Sequence, residues 1–504
     1  MQTMSPAIIH HDSLKATLHG LPRNGSVWQF RGLQYASISK RFALPQPPSP
    51  LSGDVDCTCY GPRCPQNLVD SKHLLRIPVE EHIAEHPEDE FSCLNLDIAM
   101  PAPHAMTPFK KTALPVMVWI HGGSQAVTFG DSASKLCDPS QLVARSVHVG
   151  KPVLVVNINY RLNMFAFGDE TSAVNLALKD QRHALEYIKL HIAGFGGDPG
   201  NVTLAGESAG AVYTHAHMIA KIPVRQCILQ SGTLHLSPPQ PRATAIALIR
   251  KMSTTLLTAG NWTLRTAPVN RILEAQAALG LASFYLQMET DLKGWNESVG
   301  NVDRVLIGDN EFEAILWKIG IEETHPSLLC NAFDLVGQDE RVSRLKTMYG
   351  LLPDRPSSCK TGALDFLNDM RFTLPVRTFM DRRRRAQQAV FGYLMDQPNP
   401  WQRSSRAHHG VDLIYLFNGF DFTFDQSAQR VAEAMQLKWI EFICGEDPWK
   451  PGEFFAFGPF GESKEVDVAD RRRYRHLDIA IALGQDKAEA IVRNLATGKS
   501  SLLN

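Results

Sequence analysis

The sequence lacks a dominant charge. Its 51 Lys and Arg stand against 52 Asp and Glu, a formal net charge of −1. Nothing therefore draws the chain as a whole to nucleic acid or to an anionic membrane. Long apolar runs are also missing. The longest, at 114–120 and 153–156, are strand-sized and far from the ~20 apolar residues of a membrane helix. The first twenty residues, MQTMSPAIIHHDSLKATLHG, have no apolar leader core, so a cytoplasmic, reducing location is expected. On that expectation the N-x-S/T sites at Asn24, Asn201, Asn261 and Asn296 are accidental. Nine cysteines are an odd count and cannot all pair internally. No repeat or low-complexity stretch is visible, and no motif calls for a metal or a cofactor.

What is present is an ordinary globular composition, 44% hydrophobic and 20% charged. It excludes an intrinsically disordered chain. At roughly 150 residues per domain, 504 residues suggest about three domains, with ample volume for a deep pocket.

Residues 114–120 and 152–158 read as strands buried on both faces, because their apolar runs do not alternate. Residues 174–192 read as a helix: Ala184, Ile188 and Ile192 recur every four positions, with Lys179, Arg182 and Glu186 between. A turn at 195–199, a strand at 202–205, a helix at 209–220 and a strand at 226–230 follow. Strand and helix alternate, which predicts an α/β fold with a large, mostly parallel sheet flanked by helices. Residues 240–400 read as mostly helical, 413–417 as a late strand, and 426–444 and 477–495 as helices. The arginine run at 382–385 reads as a solvated helix face.

Gly206-Glu207-Ser208-Ala209-Gly210 fits G-x-S-x-G, in which a serine on a tight strand-to-helix turn exposes its hydroxyl between small residues. Chance supplies roughly 0.2 such matches in a chain this long. The predicted strand before it and helix after it give the match its weight. Upstream, His121-Gly122-Gly123-Ser124 ends a strand and offers backbone N–H groups that, with that of Ala209, would hold an oxyanion. A base and an acid should come later in the chain. Eighteen histidines and 52 acids do not let chemistry alone choose them.

A family resemblance supplies the choice. The block VNLALKDQRHALEY at 174–187, FGGDP at 195–199 and VTLAGESAG at 202–210 resembles the type B carboxylesterase family, relatives of the cholinesterases and of some fungal lipases. FRGLQYA at 30–36, Arg41-Phe42, YGPRCPQ at 60–66, NYRL at 159–162 and LQSG at 229–232 are similar to further landmarks. The resemblance is strong over 30–235 and patchy beyond. It implies an α/β-hydrolase fold and a serine esterase. The family's acid motif, G-x-N-x-x-E, falls on residues 308–313 and implies Glu313, 105 residues after Ser208; Asp309 and Glu311 are close competitors. The family's His-Gly before a strand falls on His409-Gly410, with His408 adjacent. The oxyanion donors fall on Gly123, Ser124 and Ala209. Ser124 replaces a glycine, which implies a working hole of altered shape and less comfort at φ > 0. In the implied mechanism His409 takes the Ser208 proton during attack on an ester carbonyl, Glu313 orients His409, and water later frees the acyl group.

The resemblance also implies a buried Arg161–Asp180 ion pair and a supporting role near the triad for Ser231. Cys64 and Cys93 match a family disulfide that closes a loop over the site. Free thiols and a bridge both stay open here, since a reducing compartment disfavours the bond. The glutamate expected to pair with Arg41 is absent from Phe91-Ser92-Cys93-Leu94, so that bridge is not expected. Phe91 is the one aromatic between 66 and 92, which argues against a quaternary-ammonium ester. Leu74, Leu75, Ile77 and Val79 would offer an apolar lid edge instead.

The triad spans residues 208, 313 and 409, so the chain is expected to be one α/β-hydrolase body over 1–504 with a helical cap at about 240–400. The expected substrate is a small or medium apolar ester. A secondary-metabolite esterase or acyltransferase with the same triad is the alternative, and an inactive cholinesterase-like interaction protein a further one. The expected partner is thus a small molecule, with no nucleic acid; oligomeric state is not legible.

Overall fold

The structure, a computed structural model, describes residues 6–81, 86–106, 112–472 and 475–499. Its centre is one 13-stranded sheet. Seven adjacent strands run parallel, in the spatial order Leu154–Ile158, Leu114–Ile120, Gly197–Glu207, Gln226–Gln230, Arg304–Asn310, Ala389–Met395, Phe454–Phe457. Antiparallel strands extend both edges. The α/β-hydrolase class read from the sequence is the observed one.

The unalternating apolar runs have the expected cause. In Leu114–Ile120, Val116, Val118 and Ile120 enter one core while Met117 and Trp119 enter the core on the opposite face. A third apolar core lies outside the sheet. Helices between 314 and 372 build it together with the C-terminal helices Leu477–Leu483 and Gln485–Ala496.

Several elements differ from expectation. The stretch 413–417 belongs to a helix, Val411–Phe417, with all seven residues buried. A five-residue apolar run buried all round has no period that separates strand from helix. The strand expected at 202–205 already begins at Gly197, inside the expected turn, and runs to Glu207. The C-terminal helix is two helices, interrupted at Gly484 (φ 94°). The segment 240–400 is not a cap alone: it contributes Arg304–Asn310 and Ala389–Met395 to the middle of the sheet. The arginine run is a solvated face only in part, at Arg384 and Arg385. Arg383 is fully buried and donates to the carbonyls of Val299 (2.9 Å) and Val302 (3.0 Å), and Arg382 donates to that of Asn296.

The candidate active site

All the candidate groups gather at the carboxyl ends of parallel strands, where open α/β sheets carry their sites. Ile120 lies opposite Gly206, and Glu207 opposite Gln230. The loop after Ile120 is thereby laid against the turn that holds Ser208.

That turn is tight and strained. Ser208 has φ 55° and ψ −121°, and its N–H donates to the Gln230 carbonyl at 2.9 Å. Such a conformation costs of order 1–3 kcal/mol and persists only where packing over-determines it. The flanking glycines supply that packing. A Cβ on Gly210 would stand 2.0 Å from the Ile120 carbonyl oxygen, and one on Gly206 2.5 Å from the Gly210 backbone. The spacing of G-x-S-x-G is thus a record of backbone contact. Helix Ala209–Ile219 starts directly after the serine. Its first N–H groups and its dipole favour negative charge at Ser208.

The oxyanion loop is held on several sides. Gly123 has φ 110° and Ser124 φ 57°, so the serine does occupy a glycine-like conformation. Among the described residues, neither N–H has a backbone or side-chain acceptor. The Ser124 carbonyl accepts from Phe284 N–H at 2.9 Å, and the Gln125 carbonyl from Asn163 N–H at 2.8 Å. The Gln125 side chain donates to Ser237 Oγ (3.2 Å) and accepts from the Tyr213 hydroxyl (3.3 Å). Tyr160 stacks on His121 and donates to its carbonyl at 2.6 Å.

The acid and the histidine come from distant segments that are zipped together. Phe312 forms a parallel β-bridge with His408, and its N–H donates to Ala407 O at 2.8 Å. The next residue on each side, Glu313 and His409, therefore lie beside each other. His409 Nδ1 is 2.5 Å from Glu313 Oε2, and Glu313 Oε1 accepts from Asn310 N–H at 2.7 Å. Gly410 follows at φ 77°, with Leu75 3.2 Å from where its Cβ would be, which explains the glycine after the histidine. The competitors have other work. Asp309 accepts from Thr373 Oγ1, Glu311 pairs with Arg406, and His408 is bonded to Asn399.

His409 Nε2 faces a further carboxylate, Glu207 Oε1, at 3.2 Å. Among the described residues no hydrogen bond joins Ser208 Oγ to His409; apo sites often tighten that contact only with substrate. Glu207 is fully buried, and neither of its oxygens has a hydrogen-bond partner among the described residues. Burial raises its carboxyl to about 8, against the pull of His409. Burial alone would lower the His409 imidazole, but Glu207 and Glu313 together raise it to about 9. The two groups face each other across 3.2 Å and titrate as a coupled pair.

Two groups escaped the sequence reading. Asn368, fully buried where a helix passes into a π-helical turn, accepts through Oδ1 from the N–H groups of Glu313 (2.7 Å) and Ala314 (3.2 Å). Buried Asp412 accepts from Gln230 and Asn310 beneath the histidine. Only the asparagine-acid spacing of G-x-N-x-x-E could have hinted at such a scaffold.

The supporting residues fall out unevenly. Arg161 and Asp180 form a two-pronged buried pair at 2.6 and 2.8 Å. Ser231 lies fully buried on the strand end after Gln230, its N–H donating to Gly308 O at 3.1 Å. No bridge joins Cys64 and Cys93 in the structure. They touch, and Cys93 is pushed well up by its hydrogen bond to Cys64 and by burial. Arg41 does have a carboxylate partner: Glu90, three residues before Cys93, meets it at 2.6 and 2.7 Å. Of the expected lid edge, Leu74, Leu75 and Ile77 are buried and only Val79 is exposed. The first three pack in the core that also holds Phe129 and Val411. Among the described residues no helix is long and apolar enough to cross a membrane.

Comparison with known proteins places the chain among lipases and carboxylesterases. The chain is 29% identical to Lipase 3 of Yarrowia lipolytica, over 94% of this chain and 96% of the lipase. It is 39% identical to the inactive carboxylesterase-like protein VdtD of Byssochlamys spectabilis, over 41% of this chain and 35% of that one. A solved PNB esterase structure superposes with a TM-score of 0.73 at 23% identity, covering 94% of this chain and 99% of that one. Residues 16–467 match the Carboxylesterase family, and this chain belongs to that family as a carboxylic ester hydrolase.

Proposed function

We propose that the protein cleaves a small or medium apolar ester with Ser208 as nucleophile, His409 as base and Glu313 as the acid that orients it. The observation that carries the reading is His409 Nδ1 held 2.5 Å from buried Glu313. That bond fixes the tautomer and leaves Nε2 as the working nitrogen. When an ester enters, Nε2 trades its contact with Glu207 for the Ser208 hydroxyl. It takes the proton as Oγ attacks the carbonyl carbon. The N–H groups of Gly123, Ser124 and Ala209 hold the resulting oxyanion, an effect worth about 10²–10³ in rate per donor. The tetrahedral intermediate collapses, and His409 returns the proton to the departing alcohol. Water then attacks the acyl-enzyme by the same route, releasing the acid and restoring Ser208.

Ser208→Ala should lower kcat on p-nitrophenyl butyrate by about 10⁵-fold or more while the protein stays folded. Retained turnover would overturn the assignment. Likeness to an inactive carboxylesterase-like protein gives one rival reading weight: a binding protein without turnover. Labelling of Ser208 by a fluorophosphonate separates the two. Acyl transfer to an added alcohol, read from the products, would separate a transferase from a hydrolase.

A further inference from the structure

The oxyanion loop holds two strained residues in a row. Ser124 (φ 57°) and Gln125 (φ 60°) are successive non-glycine residues in the left-handed region. Such residues persist only where their surroundings over-determine them. Gln125 is buried, 4% exposed, and its side chain is bonded at both ends of the amide.

The amide nitrogen donates to Ser237 Oγ at 3.2 Å. That hydroxyl donates to the Phe284 carbonyl at 3.4 Å, and Phe284 N–H donates to the Ser124 carbonyl at 2.9 Å. Ser124, Gln125, Ser237 and Phe284 thus close a ring of hydrogen bonds that contains the strained pair. The amide oxygen accepts from the Tyr213 hydroxyl at 3.3 Å. Tyr213 lies one turn into helix Ala209–Ile219, whose first N–H belongs to Ala209. Its ring packs edge-on against Tyr160 (5.3 Å), which stacks on His121 at the root of the loop (4.4 Å). One side chain therefore ties the loop of Gly123 and Ser124 to the helix of Ala209. The bridge needs a donor and an acceptor together, which an amide supplies and a carboxylate or an alkyl chain does not.

We propose that Gln125 is a positioning residue for the oxyanion hole. It sets the spacing between the N–H groups of Gly123 and Ser124 on one side and that of Ala209 on the other. The inference rests on the reading of those three groups as the oxyanion donors. Donors act through where they stand, and a misplacement of about 1 Å can cost about 10²-fold in rate.

Gln125→Met keeps the length of the side chain and removes both bonds. On p-nitrophenyl butyrate it should lower kcat about 30-fold with KM within about twofold, part of the 10²–10³ that a whole donor is worth. The thionobutyrate carries C=S in place of C=O, and sulfur is a weak hydrogen-bond acceptor that gains less from the hole. Its kcat should fall about threefold, so the oxo-to-thiono ratio drops about tenfold. Circular dichroism and the urea midpoint follow the fold. Tyr213→Phe and Ser237→Ala each remove one hydroxyl and should each lower the ratio by about threefold. These two decide the matter if Gln125→Met does not fold. Equal losses on both esters, or an unchanged ratio across the folded variants, would overturn the role given to Gln125. Ser208→Ala is assayed alongside. If it keeps the parent's turnover, the ester-hydrolase reading has failed and the role of Gln125 fails with it. An inactive Ser208→Ala beside an unchanged ratio overturns Gln125 alone.

Discussion

The two halves of the candidate site are built differently. The nucleophile half comes from neighbouring strands between residues 114 and 232. It is shaped by backbone touching backbone: Gly210 against Ile120, Gly206 against Gly210, and Gly232 against the Ser208 carbonyl. The acid–base half joins residues 310–313, 368 and 408–412 through buried polar groups. Asn368 holds the Glu313 backbone, Asn310 N–H holds the Glu313 carboxylate, and the Phe312–His408 bridge aligns acid with base. One half is rigid because nothing larger than hydrogen fits, the other because its buried polar groups bind one another, with Asn310 Oδ1 left over. The first should fail by steric collapse and the second by misorientation.

Short of removing the nucleophile itself, the largest expected effect breaks the second half alone. Glu313→Gln keeps the shape but presents an amide to His409 Nδ1, which can hold the wrong tautomer. A fall in kcat of about 10⁴-fold is expected, with the folded protein intact by circular dichroism. A loss below tenfold would return the acid to Asp309 or Glu311. Gly210→Ala tests the other half. A methyl placed 2.0 Å from a carbonyl oxygen forces the strand and helix apart, and overpacking of this kind costs about 3 kcal/mol or more. Urea unfolding should show it as a lower midpoint. Stability equal to the parent's would mean that the turn is far more compliant than its contacts imply.

The same division decides how much was legible in the sequence. Ser208, its glycines and the alternating strands and helices around them were readable because their causes lie within a few residues. His409 and Glu313 were placed by resemblance, not by chemistry, since their partnership spans 96 residues. The helix Val411–Phe417 was misread because its apolar run is buried on every side. Arg41 lost its expected partner in the reading because Glu90 stands outside the expected motif. Arg383, buried among carbonyls, looked like a surface charge because backbone acceptors leave no trace in side-chain pattern. Asn368 left none either: one oxygen caps two N–H groups 55 and 54 residues away.

Asn368→Ala sharpens the contrast at intermediate size. It leaves the Glu313 and Ala314 N–H groups buried without an acceptor, which costs about 1–3 kcal/mol. A tenfold or larger fall in kcat with KM unchanged is expected, because Glu313 is moved and the ester-binding walls are not. An equal rise in KM would assign Asn368 to general packing instead.

The smallest effect is read in pH and concerns Glu207, a side chain that belongs to both halves. It is part of the nucleophile turn, yet it faces the base at 3.2 Å. Only neutral His409 can accept the Ser208 proton, so kcat/KM should climb with pH as the imidazolium deprotonates. Burial opposes the imidazolium, but the Glu207 and Glu313 carboxylates outweigh it and hold His409 near 9. The climb should therefore lie above the ordinary imidazole value of about 6.5. Glu207→Gln removes one of the two carboxylates that raise it. His409 then gives up its proton more readily, and the climb moves to lower pH, so the variant keeps a larger fraction of its maximal rate at pH 6 than the parent does. Glu313→Gln should move the climb the same way but also collapse the plateau, whereas Glu207→Gln should leave the plateau within about an order of magnitude, since the His409–Glu313 bond is untouched. A profile from pH 5 to 10 separates them. A climb that stays in place, or moves upward, in Glu207→Gln would mean that this carboxyl is protonated throughout the working range and that His409 answers to Glu313 alone.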